Sequence, residues 1–417
     1  MRRCTLRNVA GVVAAVLVLA ACSGGSGGDG EPPTRDIPVG PGVSSRTITL
    51  GLLTDLTGPF AVLGRTVTQG AQLFWKDQNQ RGGVCGRTVY LVIKNHAGNV
   101  QDAVALYASL QPHVLAFQQL LGSPMTAALL GSIASDAVLT QPVSWSSKLL
   151  ANPYIVMGGA TYDLEMINGI DWLMKNRGLK AGDKIGHLYL EGEYGEDALL
   201  GTIASAKANN LTVVSERVQA GDIDMTAHVR AIRAAGARFV MISTTAPQAA
   251  SAAMSAQSQG FDATFVGSNP TFLPSILEGP AKTAMTTRFW ISQSYAPLSG
   301  DTPGASTFRS AYTTAYRGET ANAGAAYGYA QGEIMYRILN AACTSGSLER
   351  PAMLEAVRTL QRVDTDGLIA PLDYSRPGQP PARATYILQP DPTALGGLTV
   401  VQPLRAAPPA QTYSCPC

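Results

Sequence analysis

Histidine is scarce in this chain. The four present, His96, His113, His187 and His228, are scattered, and none stands in the His-Glu-x-x-His spacing that gathers a zinc ion on one helix face. Charge is thin as well: 31 basic side chains against 29 acidic ones leave a formal +2, with no strongly basic face for nucleic acid. After the first 20 residues no apolar run reaches the ~20 residues needed to span a bilayer. The single Gly-x-Ser-x-Gly match, Gly24 to Gly28, lacks the strand and helix that a nucleophile elbow requires. No Gly-Lys-Ser/Thr follows those glycines to cradle a phosphate. Catalytic residues, a metal site and a cofactor are therefore not expected, and His113 and His187 read as residues accommodated in apolar strands.

What is present begins at the amino terminus. Arg2, Arg3 and Arg7 precede an apolar run from Val9 to Ala20, too short for a comfortable span and shaped like a secretory signal. It ends in Leu19-Ala20-Ala21-Cys22, which resembles the lipobox of bacterial lipoproteins and implies a lipid on Cys22 after cleavage of residues 1–21. Residues 22–45 are rich in Gly, Ser and Pro, cannot bury a core, and read as a flexible tether. The expected location is the outer face of a bacterial cell membrane.

Cys4 would leave with the signal. Cys85, Cys343, Cys415 and Cys417 remain, an even number in an oxidising compartment, which suggests two disulfides. A bond between Cys415 and Cys417 would close a very small ring, so each is expected to pair with one of Cys85 and Cys343.

From about residue 48 strands and helices alternate. Strands are expected at 48–53, 88–93, 113–117 and 137–141, with helices at 66–80, 100–110 and 124–136 between them. A second series follows, with helices at 163–177, 196–209, 225–235 and 247–259 and strands at 184–190, 211–218, 238–243 and 263–267. Such alternation specifies parallel sheets covered by helices, here as two α/β lobes. Helices at 304–317, 324–342 and 350–360 are expected to return to the first lobe. The lobes would then be 46–157 plus about 296–360, and 158–295 plus about 361–405, with a tail at 406–417. In open parallel sheets ligands bind beyond the carboxyl ends of the strands, so a shared cleft is expected between the lobes.

Six blocks carry a resemblance: Ile48 to Phe60, the stretch Gly70-Ala-Gln-Leu, Asn79 to Arg87, Gly122-Ser-Pro-Met-Thr126, Tyr194-Gly195-Glu196, and Gly221 to Thr226. In this order they resemble the leucine/isoleucine/valine-binding family of periplasmic receptors. The resemblance implies the type I periplasmic-binding fold, two Rossmann-like lobes joined by a multi-strand hinge, and a monomeric receptor that delivers a small solute to an ABC permease. It also implies ligand contacts from Phe60, Ser123, Ser144, Trp145, Ser146, Tyr162, Tyr194, Thr245 and Asn269. Ser123 opens an expected helix, where hydroxyl and backbone N–H groups can hold a carboxylate, and it equally suits a helix cap. Trp145 either stacks on a flat solute or packs against its own lobe.

Two departures from the family pattern stand out. Asn269 occupies the place of the acidic residue that pairs with an amino-acid ammonium, so an amide replaces a charge. Leu63 and Thr245 stand where the branched-chain binders have aromatic residues. Asp163, Glu193 and Glu196 could supply a carboxylate but read more simply as solvated or capping charges. The expected solute is a small polar metabolite, an amino acid or an amino-acid-like amide. A sensor of the same fold, which signals instead of transporting, is the alternative, and a structural lipoprotein is the third reading.

Overall fold

The structure is a computed structural model that describes residues 36–319 and 321–414. The expected signal, Cys22, most of the tether, and Cys415 and Cys417 lie outside the described residues. Regular structure begins with β1 (Thr47–Thr54), α1 (Ala61–Gln80), β2 (Thr88–Asn95), α2 (Val100–Leu110), β3 (Ala116–Leu121), α3 (Ser123–Ser135) and β4 (Thr140–Val143). The strands pair in parallel in the order β2-β1-β3-β4. Every residue of β3 is buried, as a strand covered on both faces requires.

The second series runs α4 (Tyr162–Asn176), β5 (Lys184–Leu190), α5 (Glu193–Ala208), β6 (Thr212–Val218), α6 (Thr226–Ala234), β7 (Phe239–Ser243), α7 (Ala246–Ser258), β8 (Thr264–Gly267), α8 (Lys282–Arg288) and β9 (Phe289–Gln293). Three helices follow, α9 (Pro303–Ala315), α10 (Ala323–Thr344) and α11 (Arg350–Thr359). Then β10 (Thr385–Pro390), β11 (Leu398–Arg405) and the short α12 (Pro408–Thr412) close the chain. The second sheet has the order β11-β10-β9-β8-β7-β5-β6, parallel from β6 to β9 and antiparallel across β9, β10 and β11. Strands β9 to β11 were not among the expected elements.

α10 returns to the first lobe and packs along α1. The two helices come close because Gly70 and Gly328 lie at the contact: a Cβ on Gly70 would strike the Ala325 carbonyl, and one on Gly328 the Val67 carbonyl. This pairing also corrects the expected cysteine pattern. Cys85, in the turn after α1, is bonded to Cys343 near the end of α10, with Cα atoms 6.6 Å apart. Neither is therefore left to pair with the C-terminal cysteines.

A second correction concerns the strand expected at 113–117. Pro112 lies in a 3-10 turn at Gln111–His113, so pairing begins only at Ala116 and His113 is exposed. His187 does lie in β5, fully buried, with Nε2 2.9 Å from the Ser243 hydroxyl; burial pushes its pKa down to about 3.

The chain passes between the sheets near residues 157–161, 294–296 and 368–370, and these segments hydrogen-bond to one another. The Ala160 amide donates to the Ser294 hydroxyl (3.1 Å), the Ala370 amide to the Ser294 carbonyl (2.8 Å), and the Ala296 amide to the Leu368 carbonyl (3.0 Å). Tyr295 and Ile369 form an antiparallel bridge at the same place.

Candidate ligand-binding site

The carboxyl ends of both sheets face one cleft, and the loops leaving them start helices: α1 is capped at Phe60, α3 at Gly122, α5 at Gly192 and α7 at Thr245. Among these helix starts lies a cavity of about 150 Å³. Phe60, Ser123, Trp145, Tyr162, Tyr194 and Thr245, all expected at the site, line it. Ser144, Ser146 and Asn269 do not line it; each instead bonds to a neighbouring side chain of the cleft.

Phe60 is set by the turn that leaves β1. Asp55 is fully buried and accepts the backbone N–H groups of Thr57 (3.1 Å), Gly58 (2.5 Å) and Phe60 (2.9 Å). An aspartate folding its own following backbone in this way fixes the loop locally, and Asn95 of β2 holds it from outside by accepting the Leu56 N–H (2.9 Å) and donating to the Thr57 hydroxyl (3.1 Å).

The polar atoms of the first-lobe wall gather at one point. The Ser123 and Ser144 hydroxyls are 2.7 Å apart, and the Tyr162 hydroxyl, reaching across from α4 of the second lobe, also bonds to Ser123. Ser123 is the first residue of α3, and its cap is Gly122, at φ 106°, which has no side chain to accept the first-turn N–H groups. Those donors and the helix dipole favour an anion here.

Trp145 packs within the protein, the second of its two expected readings, and also lines the cavity. Its ring is 4.8 Å from that of Tyr327, 5.9 Å from Tyr162 and 6.3 Å from Tyr295. Its indole N–H points to the Gly158 carbonyl at 3.4 Å. Gly159 leaves room for the ring, since a Cβ there would meet both Trp145 and the Ser294 hydroxyl.

On the second-lobe wall the polar groups are engaged inside the protein. The Tyr194 hydroxyl donates to the Thr244 carbonyl (3.2 Å) and lies 2.6 Å from the Ser268 hydroxyl, so the ring, 4.5 Å from that of Tyr162, is what faces the cavity. Thr245 forms a capping box with Gln248 at the start of α7. Ser146 donates to Glu193 (2.8 Å), which also pairs with Lys148 (3.7 Å), and Ser147 donates its N–H (3.0 Å) and hydroxyl (2.5 Å) to Asp197. These bonds tie the loop after β4 to α5.

Asn269 is turned away from the main cavity. Its backbone N–H and its amide donate to the two oxygens of Glu165, at 3.1 and 2.9 Å. Glu165 lies early in α4, is fully buried, and has its carboxyl pushed well above the ordinary range by loss of water. Sequence reading missed it, because an acidic residue early in a helix is accounted for by the helix dipole alone. Of the three carboxylates considered instead, Glu193 lines the cavity and Glu196 is exposed. Asp163 is fully buried, bonded to the Thr161 hydroxyl and the Leu164 N–H (2.7 Å), so it is not a solvated charge.

Leu63, Leu121, Met125, Val143, Leu190 and Pro270 complete much of the lining, and no lysine or arginine belongs to it. Leu121, Val143 and Leu190 end β3, β4 and β5; the rule that ligands sit at strand ends pointed to Leu190, whereas the strands expected at 113–117 and 137–141 stopped short of Leu121 and Val143. Among the described residues no group of His, Cys, Asp and Glu could hold a metal ion.

A family model described as periplasmic binding protein matches residues 47–394. The Leu/Ile/Val-binding protein homolog 3 of Brucella melitensis is 26% identical over 200 residues, 46% of this chain and 53% of that protein. The chain thus spans about half the length of that curated relative. A solved structure, the fatty acid ABC transporter substrate-binding protein from Thermomonospora curvata, is 39% identical with a TM-score of 0.89, covering 91% of this chain and 97% of that one. A branched-chain amino acid ABC transporter protein from Thermus thermophilus, solved with bound valine, shares the fold at 17% identity and a TM-score of 0.79, covering 89% of this chain and 99% of that one.

Proposed function

Because the chain belongs to the periplasmic binding protein family, we propose that it captures an aliphatic carboxylic acid outside the cytoplasm and delivers it to an ABC importer. The observation that carries this reading is the one-ended polarity of the cavity. Hydroxyls of the lining residues Ser123 and Tyr162 meet at the start of α3, with Ser144 bonded behind Ser123, while Leu63, Leu121, Met125, Val143 and Leu190 supply apolar wall. A carboxylate at the polar end would receive hydroxyl and backbone donors, and an alkyl body would be covered by apolar surface. Asn269 and Glu165 satisfy each other, so neither is available to pair with an ammonium. The fatty-acid name of the Thermomonospora protein agrees with this choice.

A branched-chain amino acid is the second reading. It is favoured by Glu193, a carboxylate in the lining, and by the names of the curated relatives. In either case the lobes, 46–157 plus about 296–360 and 158–295 plus about 361–405, close on the ligand about the hydrogen-bonded crossings. Binding shifts the population toward the closed form by its differential affinity, and no catalysis is required. The protein acts as a monomer held at the membrane by a lipid on Cys22, a part of the proposal that rests on the leader sequence.

A thermal-shift panel of aliphatic acids, amino acids, amides, sugars and nucleosides tests it. An acid at 100 times its dissociation constant should add about 2.7 kcal/mol of stability. A shift with sugars or amides and none with any carboxylate overturns the proposal. Uptake of the bound acid by cells with and without the chain separates transport from signalling.

A further inference from the structure

We propose that the binding site is bipartite, and that the main cavity opens through a neck of Phe60, Leu63 and Pro270 into a second chamber that receives the far end of an extended acyl chain. The proposal rests on the carboxylic-acid reading given above and adds the ligand's length. The two cavities, about 150 and 40 Å³, have those three side chains as common wall. All three are half-buried, and Phe60 and Leu63 pack against the edge of the core, so the neck is made of side chains at the border of the packed interior.

The chamber lies where pieces from both sheets' ends meet. Phe272 and Pro274 come from the turns after β8, Leu398 from the start of β11, Tyr295 from a hinge crossing, and Ala323 from the first turn of α10. Three amide side chains also border it, and each is engaged within the protein. Asn269 is held by Glu165, Asn322 accepts the Ala325 N–H at 3.1 Å as the cap of α10, and Gln293 donates to the Tyr295 carbonyl at 3.0 Å. The rest of the wall, with Phe60, Leu63, Phe272, Pro274, Tyr295 and Leu398, offers apolar surface to a methyl-terminated chain. The head at Ser123 and the tail in this chamber lie on opposite sides of the neck, so a ligand that fills both is an extended, unbranched acid.

The test is calorimetric titration of the full chain with straight-chain acids from butanoate to tetradecanoate, on the wild type and on Ala323→Phe. Ala323 is half-buried, and a phenyl ring there would fill the chamber and leave Ser123 untouched. For the wild type, affinity should rise about fourfold per added methylene until both spaces are full. In Ala323→Phe the rise should stop at a shorter chain, while the shortest acids bind as they do to the wild type. Pro274→Phe, which blocks the chamber from its other side, should shorten the plateau in the same way. Equal plateaus in all three proteins overturn the second chamber while leaving the carboxylic-acid reading in place. Failure of acids of every length to bind the wild type overturns both.

Discussion

On the first-lobe side of the cleft, Ser123 and Ser144 turn their hydroxyls toward one point at the start of α3, amid leucine, methionine and valine. On the second-lobe side, Tyr194, Ser268, Asn269 and Glu165 are buried and bonded to one another or to backbone. The first wall presents the Ser123 hydroxyl and the N–H groups at the start of α3; the second holds these polar atoms in internal bonds and presents ring faces, together with the Tyr162 hydroxyl and the Glu193 carboxylate. This asymmetry gives most of the head-group donors to the first lobe and much of the ring surface to the second. Beside the cleft, loss of water raises the Glu165 carboxyl while Asn269 donates to both of its oxygens.

The largest effect is expected from Trp145, which braces the first wall against Tyr162, Tyr295 and Tyr327. Trp145→Ala should cost about 3–5 kcal/mol in chemical denaturation, the usual range for losing a buried large aromatic. A loss under about 1 kcal/mol would mean that the ring is not part of the packed frame.

Glu165 sharpens the contrast through pH. Its carboxyl is raised in the folded protein, so its favourable contribution is complete below the ordinary pKa of 4.5 and is lost as pH rises through the folded value. A tenfold difference in proton affinity between the folded and unfolded chains is worth about 1.4 kcal/mol. Glu165→Gln should flatten the decline in stability above pH 4.5. It should also lower the baseline by about 1–3 kcal/mol, since an amide N–H₂ facing Asn269 leaves a donor unmatched. An unchanged pH profile would show that Glu165 is ionised in the folded state.

Smaller still is the difference between two hydroxyl deletions. Ser123→Ala should weaken acid binding about tenfold with little change in Tm, as loss of a hydrogen bond to a charged group predicts. Tyr194→Phe should do the reverse, lowering stability by about 1 kcal/mol while leaving affinity within a factor of about two. Exchanged outcomes would mean that the second wall, not the first, holds the head group.

Much of this arrangement was legible in the sequence because it follows from periodicity. The end of β5 and the helix starts near Ser123 and Thr245 come from alternating apolar segments and their capping residues, while β3 and β4 run a few residues past the ends expected for them. The Glu165–Asn269 pair was not legible: its members are 104 positions apart, and each has a sufficient local explanation. The Cys85–Cys343 bond depends on α1 and α10 lying side by side, a consequence of close packing at Gly70 and Gly328 that no spacing rule supplies. β10 and β11 were missed because they join the sheet antiparallel, after the α/β alternation has ended.

The most direct test of the central claim compares 4-methylpentanoate with leucine, which share a carbon skeleton and differ by the ammonium group, in calorimetric titrations of the same protein. The one-ended polarity of the cavity predicts that the acid without the ammonium binds about tenfold more tightly or better, because the ammonium would be stripped of water without a buried partner. Tighter binding of leucine would contradict it and make Glu193 the ligand's partner.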